Sequence, residues 1–449
     1  MNPKNILSKI GILCGLFLLN ISAAEVVQLS SQKAVDLAKK QSLQIVQSEL
    51  NVKSLQKTVQ STFASFLPVF NGTGSYTHLF ETPVPSMLTS NVISGGVSVA
   101  QPLFTGGKLA NGYKLAKSSS KAQEAAHERN LTDIEYTAAQ LYWGYVVMLK
   151  GLESVHEERA WLEDLLAMQD KLYKNEMIIE LDLLNTKIQI DNMKLAELKT
   201  KDAIINYGDQ LLLFLGLQTG QTIEVDTSDL KKDLEQFTPP SSEEIDRMIE
   251  DRQDLRSIKY QIESLGLMKN IQAGSCIPAV SGFVNNSYTN QYSMETDDFK
   301  RSTSAGLQLT WNIYDWGKTN REIEKTKIQI KQLELTYNNL REQIRLKINS
   351  LIRAVDESRK ALAIAQEDMA IAKKALDIAK IKYDAQAITN TDLLNSRAVL
   401  TNKTVASTQA RVNAILALEE YKIAPMNTAT SAGTSSTSAS QTSSSSGPR

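Results

Sequence analysis

Two identical tetrapeptides offer the first candidate chemistry: Asp182-Leu183-Leu184-Asn185 and Asp392-Leu393-Leu394-Asn395, 392 − 182 = 210 positions apart. Each sets a carboxylate three residues before a carboxamide at a point where a helical pattern resumes. A carboxylate there accepts free backbone N–H groups and suits the positive end of the helix dipole, so Asp182 and Asp392 are candidate N-caps. No other constellation supports a reaction. His78, His127 and His156 are scattered without ligand spacing, and the chain has no H-E-x-x-H, paired-cysteine motif or nucleophile elbow. Gly317-Lys318-Thr319 resembles the end of a phosphate-binding loop, but Asn312 stands where its first glycine belongs. The expectation is no catalytic, cofactor-binding or metal site, and no enzyme.

The elements that carry the tetrapeptides repeat with them. Tyr173 matches Tyr383, Gly107-Lys108 matches Gly317-Lys318, and Pro68 and Gly72 match Pro278 and Gly282, all at the same offset. One register held over landmarks more than a hundred residues apart indicates a tandem duplication. The first copy is expected at 25–216 and the second at 243–424, joined by a linker at 217–242 that includes Pro239-Pro240.

Composition narrows the class. The 449 residues are 22% charged, 42% hydrophobic and only 6% aromatic, with a formal net charge of −1. Low aromatic content with abundant Ala, Leu, Lys, Gln and Glu favours long helices, and near-neutral charge gives no case for nucleic-acid binding. Lys4 and Lys9, the apolar run Ile10 to Leu19 and the small residues Ser22-Ala23-Ala24 read as a signal peptide over 1–24. Ile12 and Leu13 precede Cys14, whereas a lipid-attachment cysteine follows a small residue. Without Cys14 only Cys276 remains, so no intramolecular disulfide can form in the exported chain. After Pro425 the Ser/Thr/Ala-rich tail (425–449) cannot bury a core and reads as disordered.

In each copy a helical segment, about Ser31 to Ala64 in the first, precedes two alternating stretches. In the first copy these lie at about 68–79 and 92–104 around the loop Glu81 to Asn91. Phe70, Gly72, Gly74 and Tyr76 fall on one face; Asn71, Thr73, Ser75 and Thr77 fall on the other. In the second they lie at about 278–290 and 302–314 around the loop Glu295 to Lys300, with Ala305, Leu307, Leu309, Trp311 and Ile313 facing one way. Strands of this length, apolar on one side and polar on the other, suit a transmembrane β-barrel. A half-buried sheet on a soluble core alternates the same way.

The segments after each strand pair favour the barrel. No proline occurs from Leu103 to Thr238 or from Ala279 to Ala424. Helical hairpins are expected over about 107–216 and 317–424, each beginning with a helix on the order of 100 Å long at 1.5 Å per residue. Ile330, Leu333, Tyr337, Leu340 and Ile344 step by three and four, the spacing of a coiled-coil seam. The fold class is therefore mainly α with β: two duplicated long helical hairpins plus four strands per chain. Four strands cannot close a barrel, and open edges are not tolerated in lipid, so membrane-spanning strands require an oligomer. Three chains would supply twelve strands; strand counting alone also allows two or four. A periplasmic coiled-coil scaffold or adaptor is the alternative. It would carry a compact β-rich domain flanking one hairpin, whereas here two strand pairs alternate with two hairpins.

The duplication, the strand-to-helix junctions Leu103-Phe104-Thr105-Gly106-Gly107-Lys108 and Ile313-Tyr314-Asp315-Trp316-Gly317-Lys318, and the D-L-L-N tips together resemble the TolC-like outer membrane efflux proteins over about Val26 to Ala424. The resemblance implies a homotrimer in the outer membrane, with a twelve-stranded barrel in lipid and an α-helical tunnel in the periplasm. It implies a passive exit duct for tripartite efflux or type I secretion, working with a periplasmic adaptor (membrane fusion) protein and an inner-membrane transporter. In that family the helical tips close the entrance and meet the adaptor. Tyr383 and Asp392 match the family's constriction tyrosine and first aspartate, and Tyr173 and Asp182 are their first-copy counterparts. The second aspartate corresponds to Asn395 (Asn185 in the first copy), and the arginine that helps hold the tips shut to Ile388. The tip glycine is replaced by Glu176 and Gln386, beside Met177 and Ala387, at the expected adaptor contact. These departures predict closure by helix packing and Tyr383 more than by salt bridges.

Overall fold

The computed structural model describes residues 26–80, 91–227, 230, 237–290 and 299–424. The expected signal peptide, Cys14, loop residues 81–90 and 295–298 and the C-terminal tail lie outside the described residues, as does part of the 217–242 linker. Two compact units form, and each draws on both sequence repeats. One comprises residues up to Leu43, Ile134–Gln236 and Val355–Leu418; the other comprises Gln44–Asp133, Phe237–Ala354 and the chain from Glu419.

The element order is β1 (Val27–Leu29), α1 (Ser31–Gln41), α2 (Leu43–Ala64), β2 (Val69–His78), β3 (Asn91–Phe104), α3 (Lys108–Lys174), α4 (Glu180–Phe214), β4 (Ile223–Val225), α5 (Ser242–Glu250), α6 (Gln253–Ala273), β5 (Ala279–Thr289), β6 (Lys300–Thr310), α7 (Lys318–Asp384) and α8 (Asn390–Ile423). α3 and α7 are each 67 residues long. Among the described residues no helix is long and apolar enough to cross a membrane.

The unit holding the strands contains an antiparallel sheet of order β2-β3-β5-β6. Directly opposed residues share a face, because strand side chains alternate. Phe70, Val99, Val284 and Ala305 form one row across all four strands; Asn71, Ser98, Asn285 and Ser304 form the neighbouring row on the opposite face. β2 and β6 are the outer strands, with no further strand paired to either among the described residues. β6 ends at Thr310, short of the expected 314. The indole of Trp311 instead donates to the Cys276 carbonyl at 3.1 Å, and Asp315 receives the Thr319 N–H at 2.9 Å at the start of α7. The seam read from the sequence supplies part of the core: Ile344 and Ile348 pack with Ile249 and Leu255, flanked by Tyr337 and Leu340.

The helix expected from Ser31 to Ala64 is two helices: α2 from Gln44 onward belongs to the unit with the four-stranded sheet, and α1 belongs to the other unit. Ser42 adopts ψ 130° and ends α1. Ser30 caps α1 through Lys33, and the short strands β1 and β4 pair in parallel. Tyr142, Trp143, Leu211 and Leu212 are fully buried here. A second cluster, Leu165, Leu376, Ala379, Tyr383 and Leu393, joins α3, α7 and α8 next to the helix tips.

Candidate functional site at the helix tips

Each hairpin reverses through the same backbone device. At the end of α3 the Met177 N–H reaches the Leu172 carbonyl and the Glu176 N–H reaches that of Tyr173, both at 2.9 Å. At the end of α7, Ala387 and Gln386 bond the Lys382 and Tyr383 carbonyls at 2.8 and 2.9 Å. This crossed pair is the Schellman arrangement, which requires a left-handed residue at the turn. Glu176 (φ 59°) and Gln386 (φ 57°) occupy that position, so the turn normally made by glycine is kept at the ordinary cost of a non-glycine there, about 1–2 kcal/mol.

Neither aspartate is an N-cap. α4 is capped by Ile179, which offers no side-chain acceptor, and α8 follows Thr389. Both carboxylates sit inside the first helical turn, because α4 starts at Glu180 and α8 at Asn390, each two residues before its aspartate (182 − 180 = 392 − 390 = 2). Asp392 nevertheless closes a capping box: its Oδ2 accepts from Thr389 N–H at 3.0 Å and Thr389 Oγ1 at 2.7 Å, while its own N–H donates back to Thr389 Oγ1 at 3.2 Å. The Thr389 hydroxyl and then its backbone N–H hold the Asp392 carboxyl below its ordinary pKa. Asp182 has no such capping hydroxyl, because Ile179 stands where Thr389 stands in the second copy.

The two hairpin tips are tied by a buried neutral network. Gln169 of α3, fully buried, donates Nε2 to the Tyr383 hydroxyl at 3.1 Å and to Asn390 Oδ1 at 2.9 Å. Its Oε1 accepts from Thr186 Oγ1 at 2.8 Å. Asn390 Nδ2 donates to the Asp182 carbonyl at 3.1 Å; the Thr186 oxygen lies 3.0 Å from the same carbonyl, so its single proton is shared between that carbonyl and Gln169. Asp182 thus contributes its main chain to the tie. It also lines a cleft of about 500 Å³ together with Tyr383, Asp384, Ile388 and Thr389. Burial raises the Tyr383 pKa; the Gln169 hydrogen bond opposes that, and the carboxylates of Asp182 and Asp384 add to it.

The other candidate residues divide. Tyr383 is 9% exposed whereas Tyr173 is 42% exposed, so the duplicated tyrosines have separate roles. Ile388 packs against the Leu165–Tyr383 cluster, filling apolar space where the resemblance expects an arginine. Asn185 is half-buried and Asn395 exposed, and the network reaches neither. Glu176, Met177, Gln386 and Ala387 are exposed at the apex, where Gln386 Nε2 approaches the Met177 carbonyl at 3.4 Å.

One charged tie lies farther along the same helices. Arg397 of α8 donates Nε to Glu158 of α3 at 2.8 Å, with side chains 15% and 9% exposed, and its guanidinium stacks 5.2 Å from the Trp161 ring. Thr401 also donates to Glu158. Neither this pair nor Gln169, Thr186 and Asn390 stood out in the sequence. Their counterparts at the 210 offset are Asp368 for Glu158, Lys187 for Arg397, Ala379 for Gln169, Ser396 for Thr186 and Glu180 for Asn390, so a search for duplicated residues passes over them. The signal that could have found one of them was a polar residue at a core position: Gln169 continues the spacing of Leu162 and Leu165. Among the described residues no cluster of His, Cys, Asp and Glu could hold a metal ion.

The geometry has counterparts among known proteins. The family model for outer membrane efflux proteins matches residues 34–217 and 245–421. The outer membrane efflux protein BepC of Brucella suis biovar 1 is 22% identical over 159 residues, 35% of this chain and 35% of BepC, so the matched region spans about a third of that relative. Among solved structures, the Campylobacter jejuni CmeC outer membrane channel superposes with TM-score 0.75 at 19% identity, covering 88% of this chain and 85% of CmeC. CusC superposes with TM-score 0.75 at 15% identity, covering 88% and 91%.

Proposed function

The chain belongs to the outer membrane efflux protein family, and from that premise we propose that it is the exit duct of a tripartite efflux or type I secretion system. The observation that carries this reading is the four-stranded sheet, apolar on one face, polar on the other and unpaired at both outer edges among the described residues. In lipid those edges must pair. Joining β6 of one copy to β2 of the next closes a ring, and three copies give twelve strands with the polar rows lining water.

The helices support the same assembly. α4 exposes Leu181, Leu184, Ile188, Leu195, Leu198 and Ile205, and α7 exposes Ile364, Ile371, Ile378 and Ile381, both near heptad spacing. Within one chain the hairpins already meet through α3, α7, α8 and the first two turns of α4, which leaves these two stripes uncovered. They differ from each other, so α4 of one copy meeting α7 of the next makes a heterologous contact that closes a ring.

The tips would be the gate. Opening requires the α7–α8 hairpin to part from α3–α4, which breaks the Gln169 network and the Glu158–Arg397 pair. Glu176, Met177, Gln386 and Ala387 would then meet a periplasmic adaptor, and an inner-membrane transporter would supply the energy. Cargo passes without covalent chemistry and without a cofactor. The test is reconstitution: the purified protein should form trimers that conduct in planar bilayers and should fractionate with the outer membrane as a heat-modifiable oligomer. A soluble periplasmic monomer without conductance overturns the reading.

A further inference from the structure

The apolar face of the sheet carries one arginine. Arg301, second residue of β6, lies in the row Gly74–Gly95–Tyr288–Arg301, on the same face as Phe70, Val97, Val99, Val284 and Leu307. This is the end of the sheet farthest along the strands from the helix junctions, next to the β5–β6 connection. Among the described residues no carboxylate pairs with Arg301. Its neighbours are neutral: the guanidinium lies 5.9 Å from the Tyr288 ring centroid. The Asn286 carboxamide, with its oxygen toward the guanidinium, accepts from Arg301 Nε at 3.1 Å and Nη2 at 2.9 Å and from Thr303 Oγ1 at 3.0 Å. An arginine carries five N–H donors, so three remain beyond those two bonds. Gly74 and Gly95 leave the rest of the row without side chains, and Gly74 has open space where a Cβ would stand.

An arginine on a lipid-facing strand is unfavourable at mid-membrane and nearly neutral at the headgroup level. A guanidinium held by a ring and an amide presents its free fork in a fixed direction, the geometry that suits a phosphate. We propose that Arg301, oriented by Asn286 and Tyr288, binds the phosphate of an outer-leaflet lipid headgroup, with the glycine row accommodating the lipid beside it. The proposal rests on the reading that this sheet spans the outer membrane. Two sources share the chemistry: a phosphorylated glycolipid and an anionic phospholipid.

The test is native mass spectrometry of the detergent-purified full-length oligomer titrated separately with lipid A, phosphatidylglycerol and phosphatidylcholine. The wild type should retain at least one of the two anionic lipids, and which one identifies the source. Arg301→Gln should weaken that retention about tenfold, the loss expected for one charged hydrogen-bonding partner. Arg301→Lys should retain part of it, and Lys300→Gln, on the polar face, should leave it unchanged. Equal retention by wild type and Arg301→Gln, or an equal fall in Lys300→Gln, overturns the proposal. Conductance of the same samples reports separately on the duct, because Arg301 faces away from the polar rows.

Discussion

Gln169 and Tyr383, 214 positions apart in sequence, meet at 3.1 Å in the interior of the helix tips, the amide donating to the phenol. Gln169 also satisfies Thr186 and Asn390, so one side chain on α3 holds partners on α4, α7 and α8. Replacing it with Leu keeps the volume similar and leaves three buried polar groups short of a partner. We expect Gln169→Leu to lower stability by about 1–3 kcal/mol, read as a drop in Tm. We also expect higher resting conductance in bilayers, and unchanged conductance would detach the network from gating.

The Glu158–Arg397 pair is nearly buried, and breaking it leaves a desolvated charge. Arg397→Met should cost up to about 3 kcal/mol, the lower part of the range for buried pairs because both side chains keep some contact with water. The double variant Glu158→Gln with Arg397→Met should recover much of that loss. Thermal melts of Arg397→Met, Glu158→Gln and the double variant give the coupling, and additive losses would mean the pair contributes no interaction of its own.

Asp392 gives the tips a dependence on acid. Its carboxyl is held below the ordinary aspartate pKa by Thr389, so the stabilisation is complete above the unfolded-state value and disappears as pH falls through the depressed folded value. Thr389→Val removes the hydroxyl, returns the Asp392 pKa upward and moves loosening of the tip to higher pH. Carboxylate titration by NMR on selectively labelled protein should show that upward shift at Asp392, and an unmoved Asp392 titration would detach Thr389 from it.

The uncovered stripes on α4 and α7 make a prediction about neighbouring copies. Leu195 lies 195 − 180 = 15 residues from the tip end of α4 and Ile371 lies 384 − 371 = 13 residues from that of α7, both about 20 Å along their helices. In a Cys276→Ser background, Leu195→Cys with Ile371→Cys should oxidise to covalent oligomers up to the trimer. Bands confined to the monomer would assign the stripes to another occupant.

Gly106 and Trp316 occupy equivalent left-handed positions in the two strand-to-helix junctions, with φ 62° and 57°. A Cβ on Gly106 would stand 2.6 Å from the Gly274 carbonyl, whereas the Trp316 side chain is 80% exposed. Gly106→Ala should therefore reduce assembled oligomer sharply in gel analysis. Trp316→Gly should leave assembly intact, since it removes little packing and relieves the left-handed residue.

The duplication, the long uninterrupted helices and the apolar and polar faces of the strands were legible in the sequence, because each is written in local periodicity or in a repeated register. The N-cap assignment failed for a local reason as well. The helices begin at Glu180 and Asn390, ahead of the aspartates to which the repeated tetrapeptide drew attention. Beyond the early end of β6 at Thr310, the Trp311 indole bonds Cys276, a partner 35 positions away that the strand pattern does not show.

What the sequence by itself determined is the architecture of one repeat, since hydrophobic period and helix length need only nearby residues. Only the tertiary structure decided how the two repeats diverge. Gln169, Thr186 and Asn390 acquire their roles by meeting across three helices, and Tyr383 is buried while Tyr173 is exposed because one lies among those partners and the other does not. The physical reason is that burial and hydrogen-bond satisfaction are properties of a packed site. Two copies of one tetrapeptide, identical in sequence, therefore serve through a carboxylate at Asp392 and through a backbone carbonyl at Asp182.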